Sequence, residues 1–157
     1  MKAISSLRNL LDNIPARLEK LPKARVESKP QSKWSAKEEL GHLLDSAANN
    51  HQRIVRAQLE NSPAMPGNDQ AAWVSLHNYQ HRDWAELIAL WRALNLQLLA
   101  AAEAVPASAW TRTLTVAGSE PLTLQFLFED YLGHMAHHLE HIGIEVQDLM
   151  SKAESVA

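Results

Sequence analysis

Four of the eight histidines in this 157-residue chain lie within one eight-residue segment. They are His134, His137, His138 and His141. On a helix with about 100° per residue, all four border one apolar stripe, and His134/His138 and His137/His141 are each spaced at i, i+4. Two imidazoles one helical turn apart can converge on a single metal ion. The segment therefore predicts a metal site on a helix, with a solvated histidine rim as the alternative.

A third ligand from another helix would distinguish a metal site from a rim, and four histidines are candidates. His51 falls on the apolar stripe of its predicted helix, which is typical of a core histidine. His42 lies on a polar face, which is either solvent surface or the wall of a cleft, and periodicity alone favours solvent surface. His77 and His81 form another i, i+4 pair on a segment with a weak helix signal, where surface positions are expected.

The composition excludes several classes of function. The chain has no cysteine, so a metal site must use nitrogen and oxygen ligands and no cysteine thiolate can act as a nucleophile. The net charge is −3 and the basic residues are scattered, which argues against a nucleic-acid partner. We see no apolar run approaching the roughly 18 residues of a membrane span. A single cytoplasmic domain over residues 1–157, with no membrane partner, is expected.

The elements that must position the histidines begin with two helices and a loop. Apolar residues at spacings of three and four predict a helix over residues 7–21, which Pro15 is expected to kink or split. Residues 22–33 are polar and predict a connecting loop. A Ser-x-x-Glu capping box at Ser35 predicts a second helix from about residue 36 to residue 59.

The second half of the chain supplies two more long helices. Residues 61–68 contain two prolines and a glycine and indicate a break, after which residues 71–81 favour a short helix only weakly. An apolar stripe predicts a third long helix over residues 84–105. Residues 106–123 indicate an extended or hairpin connection rather than a sheet, and residues 123–150 a fourth helix capped at its start. The fold class is therefore all-α, a four-helix bundle with a long crossover before the last helix.

Two separated runs of residues together resemble the DinB-like superfamily, in particular its DinB/YfiT-like members. They are Trp34-Ser35-x-x-Glu38-x-x-Gly41-His42-Leu43-x-Asp45-Ser46 and His134-x-x-His137-His138-x-x-His141-Ile142, with His81-x-x-Trp84 between them. In that family a histidine eight residues after a tryptophan joins a His-x-x-x-His pair on the last helix. The resemblance implies a three-histidine metal site made of His42, His134 and His138.

The implied site has the chemistry of a catalytic metal centre. Three neutral imidazoles leave a coordination position open for water or substrate, and the expected cofactor is a divalent ion, zinc or nickel before others. Asp45, one turn along from His42, is a candidate to orient an imidazole or to act as a general base, with a solvated helix carboxylate as the alternative. His81, His137 and His141 are candidates for the same work, and His141 could also compete as a ligand.

The resemblance implies two reactions on a small-molecule substrate. One is metal-dependent hydrolysis, and the other is transfer of a low-molecular-weight thiol, supplied by a cosubstrate, to an electrophile. A non-catalytic metal- or small-ligand-binding stress-response protein is the alternative, and histidines that take up an ion only during purification are a further one.

Val55 and Leu59, apolar at the far end of the second helix, favour a homodimer.

Overall fold

Four long helices build the structure, a computed structural model that describes residues 1–151. They are α1 (Lys2–Glu19), α3 (Ala36–Leu59), α5 (Trp84–Glu103) and α6 (Leu124–Ile142), with shorter helices α2 (Lys23–Glu27), α4 (Gln70–His77) and α7 (Gln147–Ser151). The predicted all-α four-helix bundle is confirmed, including the long crossover between α5 and α6. A single domain over the full chain stays a prediction, since its last six residues lie outside the described part.

Helix α1 runs without interruption through Pro15, so the predicted split at that residue is wrong. Proline inside a helix costs about 3 kcal/mol or more, because it removes a backbone hydrogen bond. Ile14 and Leu18 flank the proline and are both fully buried. Burying such side chains is worth about 1.5–3 kcal/mol each, which offsets the cost and keeps one apolar stripe against α5.

Helix α3 has the predicted bounds, and its start is set by the predicted capping box. The Ser35 hydroxyl accepts from the backbone N–H of Glu38 at 3.1 Å, and the Glu38 carboxylate accepts from the backbone N–H of Ser35 at 2.8 Å. Such caps contribute about 0.5–2 kcal/mol. The cap also fixes the helical register, which places His42 in the second turn of α3.

Helix α5 lies against both α1 and α3. By length and composition it could cross a membrane, with a mean hydropathy of 1.2 over an 18-residue window. Leu87, Trp91 and Leu98 are fully buried in the bundle, however, and a core helix of a soluble protein passes the same test. The expected absence of a membrane partner therefore stays a prediction.

Two of the three strands of a small sheet lie in the crossover, which corrects the prediction of a connection without a sheet. Strand β1 (Ala64–Met65) pairs in parallel with β2 (Thr113–Val116), and β2 pairs antiparallel with β3 (Leu122–Thr123). Leu114 on β2 is fully buried and ties the sheet to the core. The sequence pattern missed this sheet because β1 comes from a loop about fifty residues upstream of β2.

Three further boundaries differ from the predictions. Helix α6 ends at Ile142 rather than near residue 150, because Gly143 adopts a left-handed conformation (φ 98°). The buried Ile144 and Val146 continue the apolar pattern without helix, which explains the overestimate. The predicted loop over residues 22–33 contains α2, and the weakly predicted helix over residues 71–81 divides into α4 and a 3-10 turn.

The two residues behind the homodimer prediction lie at the end of α3. Leu59 is 80% exposed and Val55 is partly buried. Exposed apolar side chains occur singly on many monomers, so the homodimer stays a prediction. Sedimentation velocity, comparing the wild type with Leu59→Ser, tests it.

Candidate metal centre

The packing of α3 against α6 brings the three predicted ligands together. His42 Nε2 lies 2.9 Å from His134 Nε2. The ring centroid of His138 is 4.5 Å from that of His42 and 4.4 Å from that of His134. One nitrogen from each of the three rings lies within 4.8 Å of the others. Two helices thus supply three converging imidazoles.

His42 is almost completely buried, at 1% exposure, although periodicity favoured solvent surface at its position. The polar face of α3 is covered by α6 and by Trp34, which precedes the helix. The Trp34 ring centroid lies 5.0 Å from His42 and 6.2 Å from His138. The polar face of α3 is therefore the wall of a cleft rather than solvent surface. Trp34, eight residues before His42, was the sequence feature that indicated this cover.

Glu39, which the sequence analysis missed, holds His138 in place. Its Oε2 lies 2.6 Å from His138 Nδ1, and its Oε1 lies 3.3 Å from His141 Nδ1. A carboxylate at this distance accepts the Nδ1 proton and leaves the Nε2 lone pair of His138 free to bind a metal. Glu39 is only three residues before His42, so the i, i+3 spacing on one helix face was an available signal.

A serine hydroxyl contacts His134, the first histidine of α6. Ser46 Oγ lies 3.5 Å from His134 Nδ1, at the outer limit of a hydrogen bond. His137 is exposed, and its ring lies 4.2 Å from that of His141, outside the group of three. His141 is 47% exposed at its side chain and contacts Glu39 as well as the His137 ring, but it is not one of the three converging imidazoles.

The electrostatics of the centre favour neutral imidazoles. Burial, together with the neighbouring His138, lowers the pKa of both His42 and His134 to about 4. At neutral pH both rings therefore keep a free lone pair, which a metal ligand requires. The other ring nitrogen of His42, Nδ1, is buried and has no hydrogen-bond partner among the described residues.

The donor set fits a divalent ion. Two imidazole nitrogens on one tetrahedral zinc, each about 2.0–2.1 Å from the ion, lie about 3.3 Å apart. The 2.9 Å separation of His42 Nε2 and His134 Nε2 needs only a small adjustment to match. Three nitrogens from two helices, with a carboxylate behind one of them, are typical of catalytic rather than closed structural sites.

Comparison of the sequence with known protein families identifies one that matches most of the chain. The sequence profile of the DinB superfamily matches residues 6–142. The chain belongs to the DinB superfamily. This DinB-superfamily chain is 24% identical over 139 residues to YfiT of Bacillus subtilis (strain 168), which is named for a proposed metal-dependent hydrolase activity; the match covers 85% of the chain and 78% of YfiT.

A solved structure of YfiT from Bacillus subtilis shares the fold of this DinB-superfamily chain. The two align with a TM-score of 0.75 and 22% identity over 94% of this chain and 85% of the other. That structure is described as a four-helix bundle of unusual topology. The likeness shows that the two chains share the four-helix-bundle fold.

Asp45 does not reach the three histidines, which corrects its predicted place beside them. Its Oδ1 accepts from the Tyr79 hydroxyl at 2.7 Å and lies 3.1 Å from His77 Nδ1. The Tyr79 ring packs so closely on Gly41 that a Cβ there would lie 2.1 Å from it. This approach places the phenol over Asp45 and turns the carboxylate toward α4. Burial raises the pKa of Asp45.

Two other histidines of the DinB-superfamily chain lie outside the group of three imidazoles. His81 is exposed on the 3-10 turn after α4 and lines a separate cavity with Trp34 and Tyr79, away from the three converging imidazoles. His51, predicted to be a core histidine, is only partly buried on α3. Neither belongs to a metal-binding group among the described residues.

The three imidazoles lie between two cavities. The larger, of about 720 Å³, is lined on one side by Trp34, Glu39 and His138. The smaller, of about 150 Å³, is lined by His42 and His134. The remaining residues around the larger cavity include three cations, Arg25, Lys29 and Lys33. A ligand can therefore approach the centre from either side.

Proposed function

We propose that this protein is a metal-dependent hydrolase that binds one divalent ion on His42, His134 and His138 and acts on a small polar molecule. The convergence of these imidazoles between two cavities carries the proposal. The proposed activity of YfiT supports it. When bound, such an ion polarises a carbonyl group or lowers the pKa of a bound water to about 7. Imidazole ligands suit zinc or nickel.

The surrounding residues hold the ligands and limit access of water. Glu39 accepts the Nδ1 proton of His138, which orients the ring and makes its other nitrogen a better ligand. Trp34 covers His42 and His138 with an apolar ring. An apolar cover lowers the local dielectric and strengthens the electrostatic interactions beneath it.

Asp130 replaces Asp45 as the proposed proton acceptor of the reaction. It lies one turn before His134 on α6, and both residues line the 150 Å³ cavity. A general base must be able to reach the proton that it removes. Asp45 has its Oδ1 engaged with Tyr79 and does not line this cavity, whereas the Asp130 carboxylate is exposed there.

Metal content tests the proposed site directly. Untagged wild type, His42→Ala, His138→Ala and the control His51→Ala are measured by mass spectrometry after reloading with zinc or nickel and exchange into chelator-containing buffer. We expect about one ion per chain in the wild type and His51→Ala, and none in the other two. Equal content in all four proteins, or an empty wild type, contradicts the proposal. Retention against the chelator also excludes casual uptake during purification.

Thiol transfer is the second candidate, and the 720 Å³ cavity on the His138 side is the observation that favours it. Two cavities at one centre allow two substrates to approach from different sides. Because the chain has no cysteine, the thiol must come from a cosubstrate. In such a reaction the thiolate sulfur bonds to the electrophile, whose leaving group departs with the bonding electrons.

A paired assay separates the two reactions from simple binding. The metal-loaded protein is given p-nitrophenyl esters and anilides, and separately 1-chloro-2,4-dinitrobenzene with either cysteine or glutathione as the thiol probe. Hydrolysis without thiol supports the hydrolase, whereas chloride release that depends on both thiol and metal supports the transferase. A protein that retains its ion and accelerates neither reaction supports the non-catalytic alternative.

A further inference from the structure

The 150 Å³ cavity beside His42 and His134 is lined only by polar and aromatic side chains. One stripe of α3, at spacings of three and four, forms its wall and includes Ser46, Asn50 and Arg53. An engineered cavity of similar volume in another protein holds one benzene molecule. The cavity therefore has room for a polar group of about six heavy atoms next to the candidate metal centre.

The side chains on this wall are held in fixed positions. Asn50, 8% exposed, donates through Nδ2 to the backbone oxygen of Ser46 at 3.0 Å. Its Oδ1 accepts from Arg53 Nη1 at 3.3 Å. Asn49 likewise donates through Nδ2 to the backbone oxygen of Asp45 at 2.9 Å. Because the asparagines are anchored to the helix, Arg53 is oriented before any ligand arrives.

Among residues 1–151, Arg53 is the one arginine or lysine that lines this cavity, and no carboxylate of these residues forms an ion pair with it. Burial lowers the pKa of Arg53, and the negative charge of Asp130 opposes that effect. No carboxylate within residues 1–151 comes within 4.0 Å of the guanidinium. Within the described part of the chain, only one of the five N–H donors of the Arg53 guanidinium is engaged, by Asn50. A partly desolvated guanidinium with free donors is suited to a planar, bidentate anion.

We propose that Arg53 binds a carboxylate group of the substrate in this cavity. The inference rests on the proposed function, since the reacting bond would lie at the His42 and His134 end. The substrate class is then a short carboxylic acid that carries an ester or amide bond a few atoms from its carboxylate. A phosphate fits less well, because its second negative charge would meet Asp130 with no second cation in the cavity.

The first experiment uses metal-free protein, so that it does not depend on the metal site. The Nε–Hε signal of Arg53 is followed by ¹⁵N NMR during titration with glutarate, its uncharged diamide glutaramide, and inorganic phosphate. We expect glutarate to shift this signal and to bind about tenfold more tightly than glutaramide or phosphate, because hydrogen bonds between two charged groups are the strong ones. Equal shifts with all three probes, or none, overturn the proposal.

Three variants provide the controls. Arg53→Gln removes the charge and should abolish the tenfold preference for glutarate over glutaramide, whereas Arg53→Lys keeps the charge without the planar fork and should retain part of it. Arg56→Gln is matched to Arg53→Gln, since Arg56 is exposed on the same helix and pairs with Glu60. It should bind glutarate like the wild type. A preference for glutarate that survives in Arg53→Gln overturns the proposal.

The second experiment asks whether the carboxylate site and the metal act on one ligand. Cobalt-loaded protein is titrated with succinate, glutarate and adipate, each against its monocarboxylate of equal length, and the visible spectrum of the cobalt is followed. We expect one dicarboxylate to bind at least tenfold more tightly than its monocarboxylate, and Arg53→Gln to remove that advantage. If the protein takes up no cobalt, the proposed function fails while the metal-free titration still decides the role of Arg53.

Discussion

Helix α3 carries two buried carboxylates within two turns, and each contacts a histidine of another helix. The two pairs differ in what the histidine ring contacts on its other side. Glu39 contacts His138 at 2.6 Å, and that ring continues into the group with His42. Asp45 contacts His77 at 3.1 Å, and that ring is 44% exposed on α4. A carboxylate and an imidazole thus orient a candidate metal ligand at Glu39–His138, whereas at Asp45–His77 they hold the short helix α4 against α3.

The difference shows why a carboxylate beside a histidine is weak evidence by itself. Both carboxylates are buried, and each has an imidazole within hydrogen-bond distance. Only the Glu39 pair has its histidine in contact with other imidazoles. Whether such a histidine can bind a metal depends on what surrounds the ring nitrogen that does not face the carboxylate. The carboxylate–histidine distance gives no information on that.

The largest expected difference between the metal centre and the Asp45–His77 pair is in how the free energy of unfolding depends on pH. In metal-free protein His42 and His134 have a pKa of about 4, below the ordinary 6.5, so the unfolded chain binds more protons between these values. Stability is therefore full above pH 6.5 and falls as the pH drops toward 4, by on the order of 3 kcal/mol for each ring. Urea unfolding of chelator-treated protein at several pH values measures it.

The Asp45 region should act with the opposite sign. Burial raises the pKa of Asp45 above its ordinary 3.8, so the folded chain binds more protons in that window and this contribution weakens as the pH rises. Asp45→Asn should therefore steepen the loss of stability toward acid pH, whereas His42→Gln should make it shallower. Equal slopes in the wild type and His42→Gln would contradict the assignment to the buried histidines.

Metal affinity is the next largest contrast between the pairs. Glu39→Gln keeps the shape of the side chain but weakens its hold on the His138 proton, and the affinity for zinc should fall about 10–100-fold. Asp45→Asn, the matched change in the other pair, should stay within about twofold of the wild type. Competition with a chromophoric chelator at pH 7.5 measures both. A comparable loss in both variants would mean that Asp45 also acts on the metal centre.

Removing the phenol hydroxyl at position 79 tests the structural pair alone. Tyr79→Phe leaves the buried Asp45 carboxylate with His77 and without its 2.7 Å donor. We expect a loss of about 1–3 kcal/mol in the free energy of unfolding, because a buried acceptor becomes poorly satisfied. Zinc affinity should be unchanged. A Tyr79→Phe protein with wild-type stability but weakened zinc binding would reverse the two assignments.

Local rules predicted the bundle and a histidine cluster on its last helix. The bounds of α3 were predictable because the capping box at Ser35 sets the first turn through contacts three residues apart. The i, i+4 spacing predicted a ligand pair on the last helix, but it suited His134/His138 and His137/His141 equally, and the resemblance chose the first pair. The third imidazole, His42, needed the family resemblance, since periodicity alone placed it in solvent.

The parts that sequence reasoning missed depend on distant contacts. Asp45 was misplaced because Tyr79, 34 residues later, determines where its carboxylate points. Arg53 and Asp130 lie on different helices and share a cavity only after α3 and α6 have packed. Glu39 is the exception, because its spacing from His42 was visible in the sequence. Its importance appears only once His138 is seen against it.

The smallest effect is expected at His141, whose role the sequence left between ligand and support. It shares the Glu39 carboxylate with His138, but at 3.3 Å and with a side chain that is 47% exposed. An exposed contact of this kind contributes little, so His141→Ala should change zinc affinity by less than about threefold. His138→Ala in the same chelator competition provides the scale of a lost ligand. A His141→Ala loss equal to that of His138→Ala would make His141 a ligand and place the ion on the Glu39 side of His138, where Glu39, His138 and His141 also lie within 4.8 Å of one another.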